Sequence, residues 1–170
     1  MTFEEFAAER MPGVLRFAAV LAGDRATAED LAQEVLIRAY SRWDRIGCVD
    51  RPDLYVRKMI LNEFLSWRRR SSREPSVSRP ALEFADSAPD HAQQYTEREA
   101  LLGEVSKLPR RQRAVLVLRY YEDRADTEIA ELLGCSPGTV RSHASRALAT
   151  LRVGMGPRAY GPHLTSEVGT

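Results

Sequence analysis

The sequence predicts an all-α protein of two small helical domains joined by a flexible linker. Apolar residues recur at helical spacing along most of the chain, most clearly over 28–40, where they stand at i, i+3, i+4, i+7, i+8, i+11 and i+12. The sequence shows no strand-like alternation of useful length. Serine and proline interrupt the helical spacing over 71–96, which predicts a linker between domains at 1–70 and 97–152, with a mobile tail at 153–170.

Three helices account for the first domain. Their expected spans are Phe3–Leu21, about 28–40 and Asp53–Arg70. Gly23 marks the turn after the first helix, and Pro52 suits the start of the third because its fixed φ matches a first helical turn. Seven residues of the second helix form one stripe that we expect to be buried: Ala28, Leu31, Ala32, Val35, Leu36, Ala39 and Tyr40.

The second domain contains a helix-turn-helix pattern. A short helix, Thr127–Leu133, is followed by Gly134, which permits the tight turn that closely packed helix pairs need. Ser136 is a good N-cap for the next helix, with Pro137 at its first position. Five apolar residues form the expected buried side of that helix: Val140, Ala144, Ala147, Leu148 and Leu151.

Charge alternates in blocks, although the whole chain has 25 Lys+Arg against 24 Asp+Glu. Residues 38–73 hold 10 basic and 4 acidic side chains, and residues 105–152 hold 9 and 5. The intervening residues 74–104 hold 2 basic and 7 acidic side chains. Two basic blocks separated by an acidic one predict two distinct anion-binding surfaces.

Composition argues against several classes of protein. The longest apolar runs fall far short of the roughly 20 residues that a membrane helix needs, and the N-terminal residues do not resemble a signal peptide, so we expect a soluble cytoplasmic protein. Cys48 and Cys135 are too few for a disulfide framework or a cysteine-based zinc site. We find no metal-ligand spacing, nucleophile elbow or phosphate-binding glycine loop, and expect no metal, no cofactor and no enzymatic activity.

Opposite its apolar stripe, the helix over 28–40 has an acidic face with one aliphatic residue. This acidic face consists of Asp30, Gln33, Glu34 and Ile37. A face of this kind is typical of a protein-binding surface. Spacing alone favours the alternative of a solvated helix surface with one stray isoleucine.

A predicted loop beside a basic helix follows in the first domain. Trp43 precedes the loop 44–51, and the basic helix after it contains Phe64 and Trp67. Stacking and phosphate contacts cooperate in such a setting, which suits unstacked single-stranded bases. Alternatively these aromatic residues belong to the hydrophobic core, which we expect for at least two of the three.

The outward side of the second helix of the helix-turn-helix combines hydroxyl and guanidinium groups. Its members are Thr139, Arg141, Ser142, Ser145 and Arg146. Such groups reach phosphates and base edges in a major groove, and the helix N-terminus at Ser136 favours a phosphate. Four arginines before it are expected to widen the positive surface: Arg110, Arg111, Arg113 and Arg119. A plain two-helix packing unit with a solvated basic face remains the alternative for this pattern alone.

These motifs resemble those of bacterial RNA polymerase sigma factors. Residues 28–35 (AEDLAQEV) and 54–62 (LYVRKMILN) are similar to region 2 of the sigma-70 family. Residues 108–115 (LPRRQRAV), 128–130 (EIA) and 134–142 (GCSPGTVRS) are similar to region 4. Two such regions joined by a short linker resemble the extracytoplasmic-function branch of that family.

The resemblance implies roles for the matched surfaces. The acidic face would dock on the clamp coiled coil of core RNA polymerase, region 4 would meet the flap regions, and an anti-sigma factor would be a further partner. Region 2 would capture a flipped base of the −10 element of promoter DNA and help to melt it, and region 4 would read the −35 element. The implied −10 contacts are Arg45, Arg51, Arg57, Lys58 and Asn62. The implied −35 contacts are Arg113, Ser136, Thr139, Arg141, Ser142 and Arg146.

Two positions depart from the family pattern. Ala125 stands where a serine or threonine is usual, so the capping box with Glu128 is expected to be missing, with Asp123 or Asp126 as the substitute cap. His143 stands where an arginine is common, and we expect a different −35 preference.

The main alternative function is that of a regulator that binds duplex DNA through the helix-turn-helix alone. Its first domain would serve sensing or dimerisation. Such a protein would bind duplex DNA without polymerase and would tolerate the loss of Asp30 and Glu34.

Overall fold

The computed structural model describes residues 1–66 and 92–156, which form nine α-helices and no strand. The all-α prediction is confirmed for these residues. The chain divides into two compact units, a first unit Met1–Pro89 and a second unit Asp90–Thr170. Trp67, most of the predicted linker and most of the predicted tail lie outside the described residues.

Five helices form the described part of the first unit. They are α1 (Phe3–Glu9), α2 (Met11–Ala22), α3 (Arg25–Tyr40), α4 (Trp43–Ile46) and α5 (Pro52–Ser66). Helices α2, α3 and α5 pack against one another. Their shared core includes the fully buried side chains of Phe17, Leu31 and Ile60.

The prediction of a single helix over Phe3–Leu21 is wrong, because α1 and α2 are separate helices. Arg10, between them, has φ −112° and ψ −24°, which bends the chain away from regular helix. Pro12 lies in the first turn of α2, where its missing N–H costs nothing. Inside one long helix the same proline would remove a backbone hydrogen bond.

Helix α3 keeps most of the predicted stripe. Its buried members are Ala28, Leu31, Ala32, Val35 and Ala39. Leu36 is only half-buried, and Tyr40 is 62% exposed, so the prediction is wrong at the C-terminal end. Tyr40 instead places its ring edge-on to Phe3, with ring centres 4.9 Å apart.

The predicted loop 44–51 is also shorter than expected. Its first residues belong to α4, so that the true α4–α5 loop is Gly47–Arg51. Helix α5 then begins at Pro52, one residue earlier than predicted, as a proline at the first helical position allows.

Four helices form the described part of the second unit. They are α6 (Ala92–Lys107), α7 (Arg110–Leu116), α8 (Asp126–Leu133) and α9 (Pro137–Met155), and a π-helical turn, Val117–Tyr121, continues α7. Helix α6 takes up the last residues of the predicted linker, and α9 continues past the predicted domain end at 152. One apolar cluster joins α6, α7 and α9 through Val105, Leu108, Leu116, Ala147 and Leu151.

Candidate nucleic-acid and partner interfaces

Helices α8 and α9 form the predicted helix-turn-helix. Gly134 ends α8 in the left-handed region, with φ 62° and ψ 43°, where a side chain would be strained. The Cys135 N–H then donates to the Ala130 carbonyl at 3.0 Å, which tightens the turn. The Ser136 hydroxyl accepts from the Thr139 N–H at 3.1 Å and caps α9. Gly134, Cys135 and Ser136 thus form the turn between α8 and α9.

The two sides of α9 differ as predicted. Its buried side consists of Val140, Ala144, Ala147 and Leu151, and Leu148 is partly buried against the same core. The predicted outward residues are all exposed: Thr139, Arg141, Ser142, Ser145 and Arg146. At 100° per residue, Ser142 lies nearly opposite the buried side of α9, and Arg146 lies close to Ser142. Arg141 lies nearer the boundary between the exposed and buried sides.

Arg113, predicted as a −35 contact, lies inside the second unit. Only 8% of the residue is exposed, and its guanidinium donates to the backbone carbonyls of Ser106 and Leu108. These carbonyls lie at the C-terminal end of α6, where a helix leaves acceptors without partners. Arg113 therefore ties α7 to α6 and is withdrawn from the DNA-facing set. Its position directly before the apolar run 114–118 was the only sequence signal for burial.

The positive surface on α7 is smaller than the arginine count suggests. Arg119 forms an ion pair with Asp126 of α8. Arg110 is half-buried, and of the four arginines in question Arg111 alone is exposed. Arginines near the helix-turn-helix thus serve its internal structure as well as its surface.

The N-terminus of α8 keeps half of the capping box that was expected to be missing. Ala125 is the N-cap residue, so neither aspartate suggested for that place occupies it. The Glu128 carboxylate accepts from the Ala125 N–H at 2.9 Å, and Arg124 donates to the same carboxylate at 3.0 Å. The backbone hydrogen bond, followed by Arg124, lowers the pKa of Glu128. The glutamate half of the box needs no hydroxyl at the cap position.

The acidic face of α3 has the predicted exposure, except at one residue. Asp30, Gln33 and Ile37 are exposed, with Ile37 at 65%, and Glu34 is half-buried. Tyr40 lies one turn beyond Ile37 on the same side of the helix and enlarges its apolar part. The sequence prediction missed Tyr40 here because it assigned that residue to the buried stripe.

The predicted −10 residues are four exposed side chains and one half-buried arginine. Arg45, Arg51, Lys58 and Asn62 are exposed. Arg57 is half-buried, with its guanidinium 5.8 Å from the centre of the Phe17 ring on α2. Arg57 therefore faces the neighbouring helix, because it lies beside the buried Val56 and Leu61 on α5. It is withdrawn from the outward set.

Tyr55 was missed by the sequence prediction and joins the exposed side of α5. It is 45% exposed and lies one turn before Lys58, with Asn62 one turn further on. An exposed aromatic ring in line with a basic and an amide group offers a stacking surface for a base. The spacing of these three residues in the sequence already places them on one side of a helix.

The three aromatic residues near the loop were expected either to stack on bases or to belong to the hydrophobic core. Phe64 is buried in the core. Trp43 is half-buried and packs against Phe6, with ring centres 4.8 Å apart. Trp67 lies outside the described residues, so the prediction that two of the three are core residues is confirmed for Phe64 alone.

Arg51, at the end of the loop, is held by Asp53. Its Nε and Nη2 atoms donate to the two carboxylate oxygens of Asp53, each at 3.2 Å. Burial raises the pKa of the Asp53 carboxyl, but the hydrogen bonds and charge of Arg51 outweigh burial and hold that pKa below its ordinary value. The Arg51 side chain nevertheless stays 59% exposed, so its guanidinium is oriented without being hidden.

Neither a metal site nor a membrane span is found in the parts that the structure describes. Within 1–66 and 92–156, no cluster of three or more His, Cys, Asp or Glu side chains is placed to hold a metal ion. Over the same residues, no helix is both long and apolar enough to cross a bilayer. Cys48 and Cys135 are free thiols.

Two helical units, one of them a helix-turn-helix with a basic outer side, define a class of DNA-binding protein. Family models sharpen this: residues 6–74 match Sigma-70 region 2, and residues 98–151 match Sigma-70, region 4. The chain belongs to the sigma-70 family of RNA polymerase sigma factors, in its extracytoplasmic-function (ECF) branch. Proteins of this family bind core RNA polymerase and promoter DNA and act in transcription initiation.

Similar proteins support this assignment along most of the chain. The RNA polymerase sigma-E factor of Streptomyces avermitilis is 38% identical over 154 residues, covering 89% of this chain and 84% of its own. The ECF RNA polymerase sigma factor SigL of Mycobacterium tuberculosis is 33% identical over 146 residues, covering 81% and 80%. The fold resembles the sigma factor RpoE from Bartonella quintana, solved with the anti-sigma factor NepR, at a TM-score of 0.65 and 24% identity over 90% of this chain and 96% of that one.

Proposed function

We propose that this protein directs core RNA polymerase to specific promoters, melting and reading the −10 element with its first unit and reading the −35 element with its second. The observation that supports this most directly is that the two units expose different chemistry. The outer side of α9 combines hydroxyl and guanidinium groups, whereas the acidic face of α3 combines carboxylates with an exposed isoleucine. One surface suits DNA and the other suits a protein.

The acidic face is the proposed polymerase-binding surface. Ile37 and the adjoining Tyr40 offer apolar area, and Asp30 and Glu34 surround it with negative charge. Apolar centres bordered by polar residues are typical of specific protein interfaces, and the charge selects a basic partner surface. The clamp coiled coil of core polymerase is the proposed partner of α3, and the flap regions are the proposed partner of the second unit.

The proposed −10 surface consists of Arg45 on α4, the α4–α5 loop and the exposed side of α5. Arg45, Arg51 and Lys58 supply positive charge for the strand backbone, and Tyr55 and Asn62 supply stacking and hydrogen bonding. Extruding one base costs a few kcal/mol of lost stacking and pairing. Stacking on an aromatic ring returns about 1–3 kcal/mol per base, so Tyr55 alone offsets a large part of that cost.

The proposed −35 surface is the outer side of α9. Ser142 and Arg146 point most directly away from the core and are placed for base edges, whereas Arg141 and Thr139 lie towards the sides of the helix and are placed for phosphates. Ser136 acts mainly through its cap, since its hydroxyl already accepts from Thr139. It orients α9 in the groove.

An anti-sigma factor is the proposed regulator. The solved relative RpoE is bound to the anti-sigma factor NepR, and this supports an equivalent partner here. A protein that covers the acidic face of α3 would compete with polymerase for Ile37 and Asp30. Free protein would then be held away from promoters.

Transcription from a genomic fragment library tests the proposed function. Purified protein is mixed with sigma-free core polymerase, and the 5′ ends of the transcripts are mapped. We expect transcripts that core alone does not produce, preceded by a shared −35 and −10 sequence. Specific duplex binding by the protein alone, with no new transcript when core is added, would instead support the polymerase-independent regulator.

A further inference from the structure

The first residues of the chain pack against α4 and the α4–α5 loop, where the proposed function gives them no role. The Trp43 Nε1–H donates to the Met1 carbonyl at 3.0 Å, and the Met1 nitrogen donates to the Gly47 carbonyl at 3.2 Å. The Phe3 ring meets the Trp43 ring edge-on, with centres 5.1 Å apart. Polar and apolar contacts thus fix this segment to the start of the loop.

Gly47 is the point of closest approach between the two segments. A Cβ at this position would lie 2.5 Å from the Met1 carbonyl oxygen and 2.8 Å from Trp43 Nε1. The φ of Gly47 is −67°, which any residue adopts, so backbone conformation does not require glycine here. Glycine is required by the close approach of both the Met1 backbone and Trp43.

The other end of the loop is fixed by Asp53. Two hydrogen bonds, each 3.2 Å long, hold the Arg51 guanidinium to this buried carboxylate in the first turn of α5. Within the loop the Val49 N–H donates to the Ile46 carbonyl at 3.3 Å. The loop is therefore anchored at both ends, and the exposed residues between the anchors are Cys48, Val49 and Asp50.

Anchoring affects recognition because a loop that is ordered before binding loses less conformational entropy when it takes its ligand. A base is distinguished from its competitors by hydrogen bonds whose geometry tolerates little displacement. Removing an anchor therefore lowers discrimination between bases even when all contacting side chains remain.

We propose that the N-terminal segment Met1–Phe3 is a positioning element for base selection: by seating on Trp43 and Gly47 it fixes the α4–α5 loop in the conformation that accepts an unstacked base. This inference rests on the proposed function, which assigns the loop to the −10 strand. None of the three residues needs to touch DNA. They act through the α4–α5 loop, whose last residue is Arg51.

We call the contact of Met1 with Trp43 and Gly47 the seat of the N-terminal segment. Two seat variants disrupt this contact in different ways. Trp43→Phe keeps an aromatic ring for packing but loses the N–H that binds Met1. Gly47→Ala allows the same backbone conformation but places a methyl group too close to the Met1 carbonyl oxygen and to Trp43 Nε1. Glu63→Gln is the control, because it breaks an ion pair between α5 and Arg38 of α3 in the same unit without touching the loop.

The readout is base preference in transcription by holoenzyme on a promoter library randomised at its −10 and −35 positions. For both seat variants we expect preference at one or two −10 positions to fall about fivefold, within the range set by a single mismatched base pair. Preference at the −35 positions and affinity for core should stay unchanged. The control should keep every preference.

Each other result has one meaning. Unchanged −10 preference in both seat variants would overturn this inference and leave the proposed function intact. An equal loss of preference in Glu63→Gln would also overturn it, since general loosening of the unit would then be the cause. Wild-type holoenzyme without any −10 preference would overturn the proposed function itself.

Discussion

In the second unit the proposed DNA surface is one side of a single helix, whereas in the first unit it combines a helical turn, a loop and a second helix. Local spacing sets the outer side of α9, because Val140 and Ala144 turn inward and Ser142 then turns outward. The start of the α4–α5 loop is hydrogen-bonded to Met1, which is far away in sequence. Surfaces on one helix follow from local sequence, and surfaces on loops follow from distant contacts.

The two units share one property that the charge pattern conceals. Each turns one predicted DNA-binding arginine towards its own core: the half-buried Arg57 in the first unit and the buried Arg113 in the second. Arg57 lies over an aromatic ring, and Arg113 donates to the end of a helix. The number of basic residues in each stretch of sequence therefore overstates the positive surface of both units. Substitutions can separate the arginines that stabilise each unit from those that are exposed.

The largest effect is expected from Arg113→Met. Removing this guanidinium leaves the carbonyls of Ser106 and Leu108 without their donor, which should lower the free energy of unfolding by about 2–3 kcal/mol. Chemical denaturation measures the change. Arg111→Met, at an exposed position on the same helix, is the control and should change stability by less than about 0.5 kcal/mol. Unchanged stability with weaker −35 binding would return Arg113 to the DNA surface.

The next effect is expected from Asp30→Arg in the first unit. Reversing a charge on the acidic face should weaken core polymerase binding about tenfold, or about 1.4 kcal/mol, in a titration with labelled protein. Glu9→Arg makes the same charge change at an exposed position on α1 and should leave affinity unchanged. Equal affinity for wild type and Asp30→Arg would remove the acidic face from the proposed interface.

A smaller effect distinguishes two arginines of α9. Arg146 lies closer to the centre of the exposed side than Arg141, so Arg146→Ala should weaken binding of holoenzyme to −35 DNA about fivefold and Arg141→Ala about twofold. Each should also reduce the salt dependence of binding if it contacts a phosphate. The reverse order of effects would show that α9 enters the groove along a different edge.

The smallest effect is expected from Arg57→Met, the counterpart of the first variant. The methionine keeps most of the packing on Phe17 but loses the cation–π contact, so stability should fall by about 0.5–1 kcal/mol. Promoter opening by the folded protein should not change. Lys58→Met, one residue further on and exposed, should show the opposite result, with normal stability and slower opening.

The sequence predicted helices well where spacing and caps are local. Gly134 and Ser136 define the turn of the helix-turn-helix, and both act there as expected. Contacts with partners that are distant in sequence were missed: Tyr40 packs against the Phe3 ring, and Gly47 makes room for Met1. Periodicity gives the buried side of a helix, but it does not show where that helix leaves its neighbours.

Arg113 and Arg57 illustrate the same limit. Arg113 directly precedes an apolar run, yet its burial depends on two helix-end carbonyls that only the fold brings near. Arg57 stands among basic residues and cannot be told from Lys58 without knowing the position of α2. A count of basic residues predicts that a unit meets DNA, and the structure is needed to choose the residues.

Permanganate footprinting tests most directly the claim that the first unit opens DNA and the second positions it. Wild-type holoenzyme on a promoter mapped as above should make thymines in the −10 region reactive. The double variant Tyr55→Ala, Lys58→Met should still protect the −35 region from nuclease but leave those thymines unreactive. Full reactivity with the double variant, or none with wild type, would contradict this division of roles.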